Sequence, residues 1–449
     1  MKPMNILYLH CHDLGRYCEP FGHAIPSPNL QRLAEEGVLF RQAYASAPTC
    51  SASRSALVTG RWPHCNGMFG LASTKWNYTL NDYSRHIVRF LRGRGYRTAL
   101  AGVQHVARPP RVDPKEVLGY ERFLNHEPSK FEDFAPDKTV PAAVKYLSED
   151  HDEPFGAAQG KPFFLSVGFV QPHRFSQGDA RTFSQTIPQE PPDIDDRYCR
   201  PMPHLPDTQT MRRETANFKM GVEIVDRQMG AVLDALDHNG LRDSTLVICT
   251  TDHGPGFPDM KRTLTDRGTG VMLILRGPED TGFSGGKVCD AMVQHMDLYP
   301  TICELLGLEP PDWLQGTSLM PLIRTEADEI HDMIFTEQSW HGDYCPLRAV
   351  RTKRHKYIRR FDVTAKRGID PGPAQAVWEE LGWQEMPQPE EELYDLMFDP
   401  HEANNLADRP GHEAVLDELR GHLQKWLEDT NDPVLTHSIP PPPAWEGQT

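Results

Sequence analysis

The 449-residue sequence predicts an α/β protein with a mainly parallel sheet sandwiched by helices and a smaller C-terminal α+β domain. Short apolar runs rich in β-branched and aromatic residues alternate with segments of helical periodicity, which is typical of such sheets. Polar clusters directly follow several of these runs, at the edge where parallel sheets carry their active sites. The pattern changes near Asp332, beyond which the predicted strands are short and half-exposed.

The strands of the large domain are predicted to be buried on both faces, because each is a short apolar run without polar alternation. They cover residues 5–9, 97–101, 162–169 and 244–250. Helices are predicted over 29–37 and 217–239, since each helical periodicity stops at a glycine or an Asn-Gly step.

We divide the chain into a catalytic domain over residues 1–331 and a C-terminal subdomain over 332–449. The subdomain is predicted to hold a small antiparallel sheet, because two half-polar runs separated by a short turn are typical of a hairpin. Its hairpin strands are predicted over 348–352 and 356–359, and an extended loop over 367–392. A closing helix is predicted over 412–428 and a proline-rich tail over 440–449.

Charge and composition exclude several classes of protein. The formal net charge of −16 argues against a nucleic-acid partner, which needs a broad basic surface. We expect no membrane partner, because no apolar run approaches the roughly 18 residues of a spanning helix. The N-terminus does not resemble a secretory signal, and the nine scattered cysteines fit reduced thiols, so we expect a cytoplasmic protein. The oligomeric state stays open, a homo-oligomer included.

The strongest local signal is the segment that runs from Cys50 through Arg54 to Gly60. If a helix begins at Cys50, this side chain lies at the positive end of the helix dipole and Arg54 shares its face. A nucleophile there would be acidified, and backbone N–H groups with the guanidinium would hold an anion. Taken alone, the short pattern is more often a buried cysteine near a surface arginine.

Two His/Asp pairs, His12-Asp13 and Asp252-His253, each follow a predicted strand. Imidazoles and carboxylates that converge from two strand ends form a candidate site for a divalent metal. Either pair alone is more often a turn or a cap. Both together, with a candidate nucleophile between them in sequence, favour the metal site.

A further set of groups can bind a tetrahedral anion or protonate a leaving group, although each alone is commonly a surface residue. These groups are His64, Gln104, His105, His173, Arg174, Lys261 and Arg262.

The segment from Cys50 to Gly60 resembles the signature of the sulfatase family, Cys-x-Pro/Ala-x-Arg followed by Thr-Gly, within the alkaline phosphatase superfamily. Further similar segments spread over nearly the whole chain, at 5–15, 27–38, 163–173, 251–254 and 392–407. The texture around Asn66-Gly67-Met68 and Asp432-Pro433 is most similar to the heparan N-sulfatase (sulfamidase) branch of that family. The resemblance implies an alkaline-phosphatase-like sheet sandwiched by helices.

The resemblance also implies chemistry. In that family a formylglycine-generating enzyme oxidises the signature cysteine, and the hydrated aldehyde attacks the substrate. Carried over to this chain, the catalytic residues are Cys50, Arg54, His105, His173 and Lys261. The substrate-binding residues are His64, Gln104, Arg174 and Arg262, and the metal ligands are His12, Asp13, Asp252 and His253.

Three positions depart from the family pattern. His12 stands in place of an acidic ligand, His253 in place of an asparagine, and Gln104 in place of a lysine. Calcium takes oxygen donors, whereas imidazole suits transition metals and zinc. We therefore predict one divalent metal ion, with manganese, iron or zinc favoured over calcium.

The sequence thus predicts a metal-dependent hydrolase of sulfate esters or sulfamates that acts on a small anionic sulfated substrate through a formylglycine derived from Cys50. The alternative is a phosphodiesterase or phosphonate monoester hydrolase with a His/Asp transition-metal site, a phosphorylated substrate, and Cys50 either modified or free. A third interpretation, a non-enzymatic binding protein, is disfavoured because the substitutions at the ligand positions retain ligand chemistry.

Overall fold

The computed structural model describes residues 4–73, 76–109, 111–125, 136–149, 160–177, 180–183, 195–341, 343–365, 368 and 370–443. Within them, a nine-stranded mixed sheet is flanked by helices and followed by a four-stranded antiparallel sheet. This confirms the predicted fold class. Among the described helices, none combines the length and the hydropathy that crossing a membrane requires.

The strands are β1 (Asn5–Cys11), β2 (Val38–Tyr44), β3 (Arg97–Gly102), β4 (Arg122–Phe123), β5 (Phe163–Gly168), β6 (Phe175–Gln177), β7 (Ala180–Thr182), β8 (Thr245–Thr251), β9 (Gly270–Val271), β10 (Leu273–Arg276), β11 (Lys287–Gln294), β12 (Met333–His341), β13 (Asp343–Thr352), β14 (His355–Arg360) and β15 (Glu391–Asp395). The helices are α1 (Pro28–Glu36), α2 (Cys50–Thr59), α3 (Pro63–Asn66), α4 (Ile87–Arg92), α5 (Pro114–Val117), α6 (Pro136–Ser148), α7 (Gln209–His238), α8 (Asp266–Thr269), α9 (Leu298–Leu305), α10 (Met320–Ile323), α11 (Pro373–Glu380) and α12 (Glu413–Asp429).

Strand β1 lies inside the large sheet and is buried on both faces. Its alternation places Leu7 and Leu9 in the core beneath α1 and α7, and Ile6 and Tyr8 in the opposite core with α2, α4 and α9. The strand order is β11-β2-β10-β8-β1-β5-β3-β4, and β9 pairs with β2 off this path. Among these described strands, β9 and β10 run antiparallel to β1 and the others run parallel to it. The four strands predicted from the sequence are therefore the adjacent strands β8, β1, β5 and β3.

The C-terminal region confirms the predicted hairpin, as β13 and β14, and the closing helix α12. The predicted extended loop was wrong in part, because α11 begins at Pro373 within it. Proline at the first turn suits a helix start, and Ala374 packs into the core beside α7. Of the predicted tail, residues 444–449 lie outside the described residues. The domain division at residue 331 stays a prediction.

Buried ionic groups join α3 of the large domain to the C-terminal sheet. The guanidinium of Arg348 on β13 donates to Asp432 from Nε at 2.5 Å and from Nη2 at 2.9 Å. His64 of α3 donates to Glu337 on β12 and lies 3.6 Å from Asp432. Burial alone would lower the pKa of His64, but Glu337 and Asp432 raise it to about 10. We call His64, Glu337, Arg348 and Asp432 the ionic clasp.

Replacing Asp432 by Asn should test the contribution of the clasp to stability. The amide can still accept from the N–H of Val434, which Asp432 accepts at 2.9 Å, but it no longer compensates the buried charge of Arg348. We expect a loss of about 3 kcal/mol or more in the free energy of unfolding, measured by urea titration. As the control, Asp429→Asn removes the exposed partner of Lys425 and should change little. Equal losses in the two variants would contradict this account.

Candidate active site

The candidate site lies at the carboxyl ends of β1, β5 and β8. His12 and Asp13 directly follow β1, and Asp252 and His253 directly follow β8. The two strands pair in parallel with Cys11 opposite Thr251, so the structure sets the two His/Asp pairs side by side.

The carboxylate of Asp252 contacts every element of this cluster. Its Oδ1 accepts from the backbone N–H groups of Asp13 at 2.9 Å and His253 at 3.0 Å. Its Oδ2 accepts from Arg54 Nη2 at 3.0 Å and lies 3.1 Å from His12 Nδ1. Although burial opposes ionisation, His253, Arg54 and His12 hold the pKa of Asp252 well below its usual range. The group is therefore an anion that ties the ends of both strands together.

Two buried atoms of the cluster have no hydrogen-bond partner among the described residues, namely His12 Nδ1 and Asp13 Oδ1. His12 Nδ1 is close to Asp252 but not aligned for a hydrogen bond with it. Orphaned polar atoms inside a protein are costly unless a ligand satisfies them. These two atoms therefore point to a bound cation.

The donor atoms fit a divalent ion. Those of His12, Asp13, Cys50 and His173 all lie within 4.8 Å of one another, and so do those of Asp13, Cys50, Asp252 and His253. Such a mixture of nitrogen, oxygen and sulfur donors suits a transition metal or zinc better than calcium.

Cys50 is the first residue of α2, as the sequence predicted, and its Sγ lies 3.3 Å from Nε2 of His253. The predicted acidity of the side chain was wrong for the free thiol. Burial raises the pKa of Cys50 above its usual value, although the ammonium of Lys261 acts in the opposite direction. Loss of hydration outweighs the favourable position at the helix N-terminus, so the unmodified side chain is a protonated thiol at neutral pH.

Two buried cations flank this cluster. Arg54, one turn after Cys50, donates to Asp252 and also to Nδ1 of His10 at 2.5 Å. Lys261 donates to Asp13 Oδ2 at 2.9 Å and lies 3.0 Å from Asp370 Oδ2. Burial would lower the pKa of Lys261, but the two carboxylates raise it, so the ammonium stays charged.

Two histidines pack around His12. The ring of His173 lies 5.3 Å from that of His12, and the ring of His105 lies 5.7 Å from it. His173 Nδ1 donates to the backbone carbonyl of the next residue at 2.6 Å, which leaves Nε2 facing Lys261 at 3.5 Å. Burial lowers the pKa of both histidines, that of His105 to about 3. Both imidazoles are therefore neutral at pH 7.

Three predicted substrate-binding residues, Gln104, Arg174 and His64, make hydrogen bonds or ion pairs with other groups of the protein. Gln104 donates to and accepts from backbone groups of the loop after β3 at 2.5–2.9 Å. Arg174 pairs with buried Glu214 and donates from Nε to a backbone carbonyl at 2.8 Å. His64 belongs to the ionic clasp. These contacts hold parts of the fold together, and the substrate-binding role of the three residues stays a prediction.

Arg262 does lie beside the cluster, where its Nη2 donates to Asp370 Oδ1 at 2.7 Å. The sequence analysis missed Asp370, since nothing in its surroundings marks it and its contacts are with residues about 108 positions away. It also missed His341 at the end of β12, 4.0 Å from Asp370, and His10 inside β1. Only His10 carried a usable signal, because a histidine within a fully buried strand needs a partner.

Comparison with known proteins agrees with this geometry. The sulfatase family matches residues 5–308, and the C-terminal region of N-sulphoglucosamine sulphohydrolase matches residues 255–369. Human N-sulphoglucosamine sulphohydrolase is 30% identical over 96% of this chain and 91% of its own. An ulvan-active sulfatase of Formosa agariphila is 26% identical over 95% of this chain and 75% of its own.

Solved structures with the same fold include a 2-O GAG sulfatase, with a TM-score of 0.72, 22% identity, and coverage of 97% of this chain and 94% of its own. A phosphonate monoester hydrolase from Silicibacter pomeroyi has a TM-score of 0.64, 20% identity, and coverage of 96% and 97%. At these identities the likeness shows the fold. The sequence matches confirm the predicted resemblance to the heparan N-sulfatase branch, and they favour a hydrolase over a non-enzymatic binding protein. The chain belongs to the sulfatase family and is an enzyme of the sulfuric ester hydrolase class.

Proposed function

We propose that the protein hydrolyses sulfate esters or sulfamates of a small anionic substrate through a modified Cys50. One observation carries the proposal: Cys50 begins α2 at 3.3 Å from His253, among buried cations and two orphaned donor atoms. In this proposal Cys50 supplies the nucleophile, the cations neutralise charge and the orphaned atoms bind a metal ion. The relation to human N-sulphoglucosamine sulphohydrolase supports sulfamates as substrates alongside esters.

The burial of Cys50 supports a modified side chain. A thiol with a raised pKa is a poor nucleophile at neutral pH. Conversion to formylglycine removes this obstacle, because the hydrated aldehyde supplies a hydroxyl oxygen to attack sulfur. The proposal therefore requires a formylglycine-generating enzyme as a partner during biosynthesis.

His12, Asp13, Asp252 and His253 would hold one divalent metal ion, since Asp13 belongs both to the group of donor atoms with His12 and to the group with Asp252 and His253. The two imidazoles favour manganese, iron or zinc over calcium. When bound, such an ion supplies Lewis acidity toward a substrate oxygen. The orphaned His12 Nδ1 and Asp13 Oδ1 are the observations that support it.

Residues of the chain itself neutralise the charge of the substrate and transfer protons. Lys261 has three N–H donors: two go to Asp13 and Asp370, and the third faces Nε2 of His173 at 3.5 Å. Its ammonium therefore adds positive charge beside the sulfuryl group. Arg54 pairs with Asp252 and adds positive charge to the site.

His173 is favoured over buried His105 as the group that passes a proton to the leaving oxygen or nitrogen, because its side chain is 29% exposed. Its Nε2 has no proton at rest, so it first takes one from the Lys261 ammonium at 3.5 Å, and the proton of the attacking hydroxyl replaces it on Lys261. Cleavage of the bond between sulfur and the leaving atom then releases the neutral alcohol or amine. A neighbouring base next removes the proton of the second hydroxyl of the hydrate, which restores the aldehyde and expels sulfate.

A specific observation favours a second candidate, the hydrolysis of phosphodiesters or phosphonate monoesters. Imidazoles at two ligand positions suit a more Lewis-acidic metal than calcium. The fold is also shared with the phosphonate monoester hydrolase of Silicibacter pomeroyi. These substrates carry one negative charge on a tetrahedral centre, as sulfate esters do, so the same residues can bind them.

The predicted cytoplasmic location stays a prediction. It is supported by the nine cysteines, which all fall within the described residues and are all free thiols. Reduced thiols are typical of a reducing compartment.

The test of the proposed function is mass spectrometry of the peptide that contains Cys50, together with hydrolysis assays on 4-nitrophenyl sulfate, an N-sulfated glucosamine and bis(4-nitrophenyl) phosphate. After co-expression with a formylglycine-generating enzyme, we expect a peptide about 18 Da lighter and turnover of a sulfated substrate. Cys50→Ala should lower that turnover by roughly a thousandfold or more. Cys289→Ala, at a half-buried cysteine on β11, is the matched control and should retain activity. An unmodified thiol with turnover of the phosphodiester alone would establish the second candidate instead.

A further inference from the structure

The C-terminal part of the chain contributes a carboxylate to the active site. Asp370 lies 3.0 Å from Lys261 Nζ through Oδ2, and its Oδ1 accepts from Arg262 Nη2 at 2.7 Å. The side chain is only 10% exposed. The ammonium of Lys261 therefore bridges two carboxylates, Asp370 on one side and Asp13 on the other.

The two carboxylates converge on the turn that follows β8. A Cβ atom on Gly256 would lie 3.2 Å from Asp13 Oδ2 and 3.3 Å from Asp370 Oδ2. Although burial opposes ionisation, Lys261 and Arg262 hold the pKa of Asp370 well below its usual range. Asp370 is therefore a second anion on the ammonium that faces Cys50.

Asp370 offsets one of the positive charges beside the proposed position of the substrate. Before the charge of the proposed metal ion is counted, the described side chains there include three cations and three anions. The cations are Arg54, Lys261 and Arg262, and the anions are Asp13, Asp252 and Asp370. Without Asp370, the same site has one more positive charge.

The negative charge of Asp370 affects the binding of monoanionic and dianionic substrates unequally. The electrostatic free energy of a bound anion is proportional to its charge, and a partly dry site screens it weakly. Repulsion by Asp370 is therefore about twice as large for a dianion as for a monoanion in the same position. A sulfate ester, a sulfamate, a phosphodiester and a phosphonate monoester are monoanions, whereas a phosphate monoester is mainly a dianion at neutral pH and above.

We propose that Asp370 is a specificity-determining residue whose negative charge disfavours dianions such as phosphate monoesters relative to monoanionic tetrahedral groups. The proposal rests on the proposed function, since it takes Lys261 and Arg262 as groups that face the substrate. It also has a consequence for turnover. Inorganic sulfate is a dianion, so Asp370 favours its release after hydrolysis of the monoanionic ester.

The test is the nearly isosteric variant Asp370→Asn, which keeps a carbonyl oxygen toward the two cations. kcat/KM is measured for 4-nitrophenyl sulfate, bis(4-nitrophenyl) phosphate and 4-nitrophenyl phosphate at about pH 8, where the phosphate monoester is a dianion. We expect the ratio of phosphate monoester to sulfate ester activity to rise by at least about tenfold. A ratio that stays constant or falls would overturn the proposal, because a merely structural carboxylate affects all three substrates alike.

The matched control is Asp395→Asn, at a carboxylate of the same region that pairs with Arg354 on the C-terminal sheet. It should leave the activity ratio unchanged.

A second experiment does not need turnover. Calorimetry measures the binding of inorganic sulfate, a dianion, and of sulfamate ion, a monoanion. In Asp370→Asn, sulfate should gain affinity relative to sulfamate by about tenfold, and equal changes for both would refute the proposal. Failure of the wild type to hydrolyse any sulfated substrate would count against the proposed function alone, since anion binding still reports on Asp370.

Discussion

The buried carboxylate of Asp252, which contacts Asp13, His253, Arg54 and His12, is the constraint on which the active site depends. Its two oxygens engage the backbone after β1, the backbone after β8 and the guanidinium of Arg54, so two strands and α2 meet at one charge. A buried anion is costly unless hydrogen bonds and cations compensate it, which leaves these groups little freedom to move. The same contacts hold Cys50, one turn before Arg54, within reach of His253.

The features that the sequence predicted correctly are those with local signals. Buried strands appear as continuous apolar runs, and the polar residues after β1 and β8 meet because these strands are parallel neighbours. What could not be predicted depends on distant contacts or on burial. Asp370 reaches Lys261 from a segment without a motif, and the pKa of Cys50 rises because solvent is excluded, which a helix start alone does not reveal. Gln104 and His64 have the right chemistry for anion binding, but their contacts lie within the fold.

The C-terminal region therefore has two roles in this molecule. Through the ionic clasp, it packs buried charges against His64 of α3, and through Asp370 and His341 it contributes directly to the surroundings of Lys261. Both roles use ionised groups that are excluded from water, where charge interactions are strongest. The stability of the fold and the charge of the active site are thus set by pairs that join distant parts of the sequence.

The most direct test of this account is the position of the metal ion. A crystal structure of the protein loaded with manganese or zinc, with anomalous data collected on both sides of the absorption edge of that metal, would locate it. The account predicts one peak among His12, Asp13, Asp252 and His253, because Asp252 contacts the other three residues and two atoms of the set have no hydrogen-bond partner among the described residues. A peak at His64, Glu337 and Asp432, which also place three donor atoms close together, with none at the ends of β1 and β8, would contradict it.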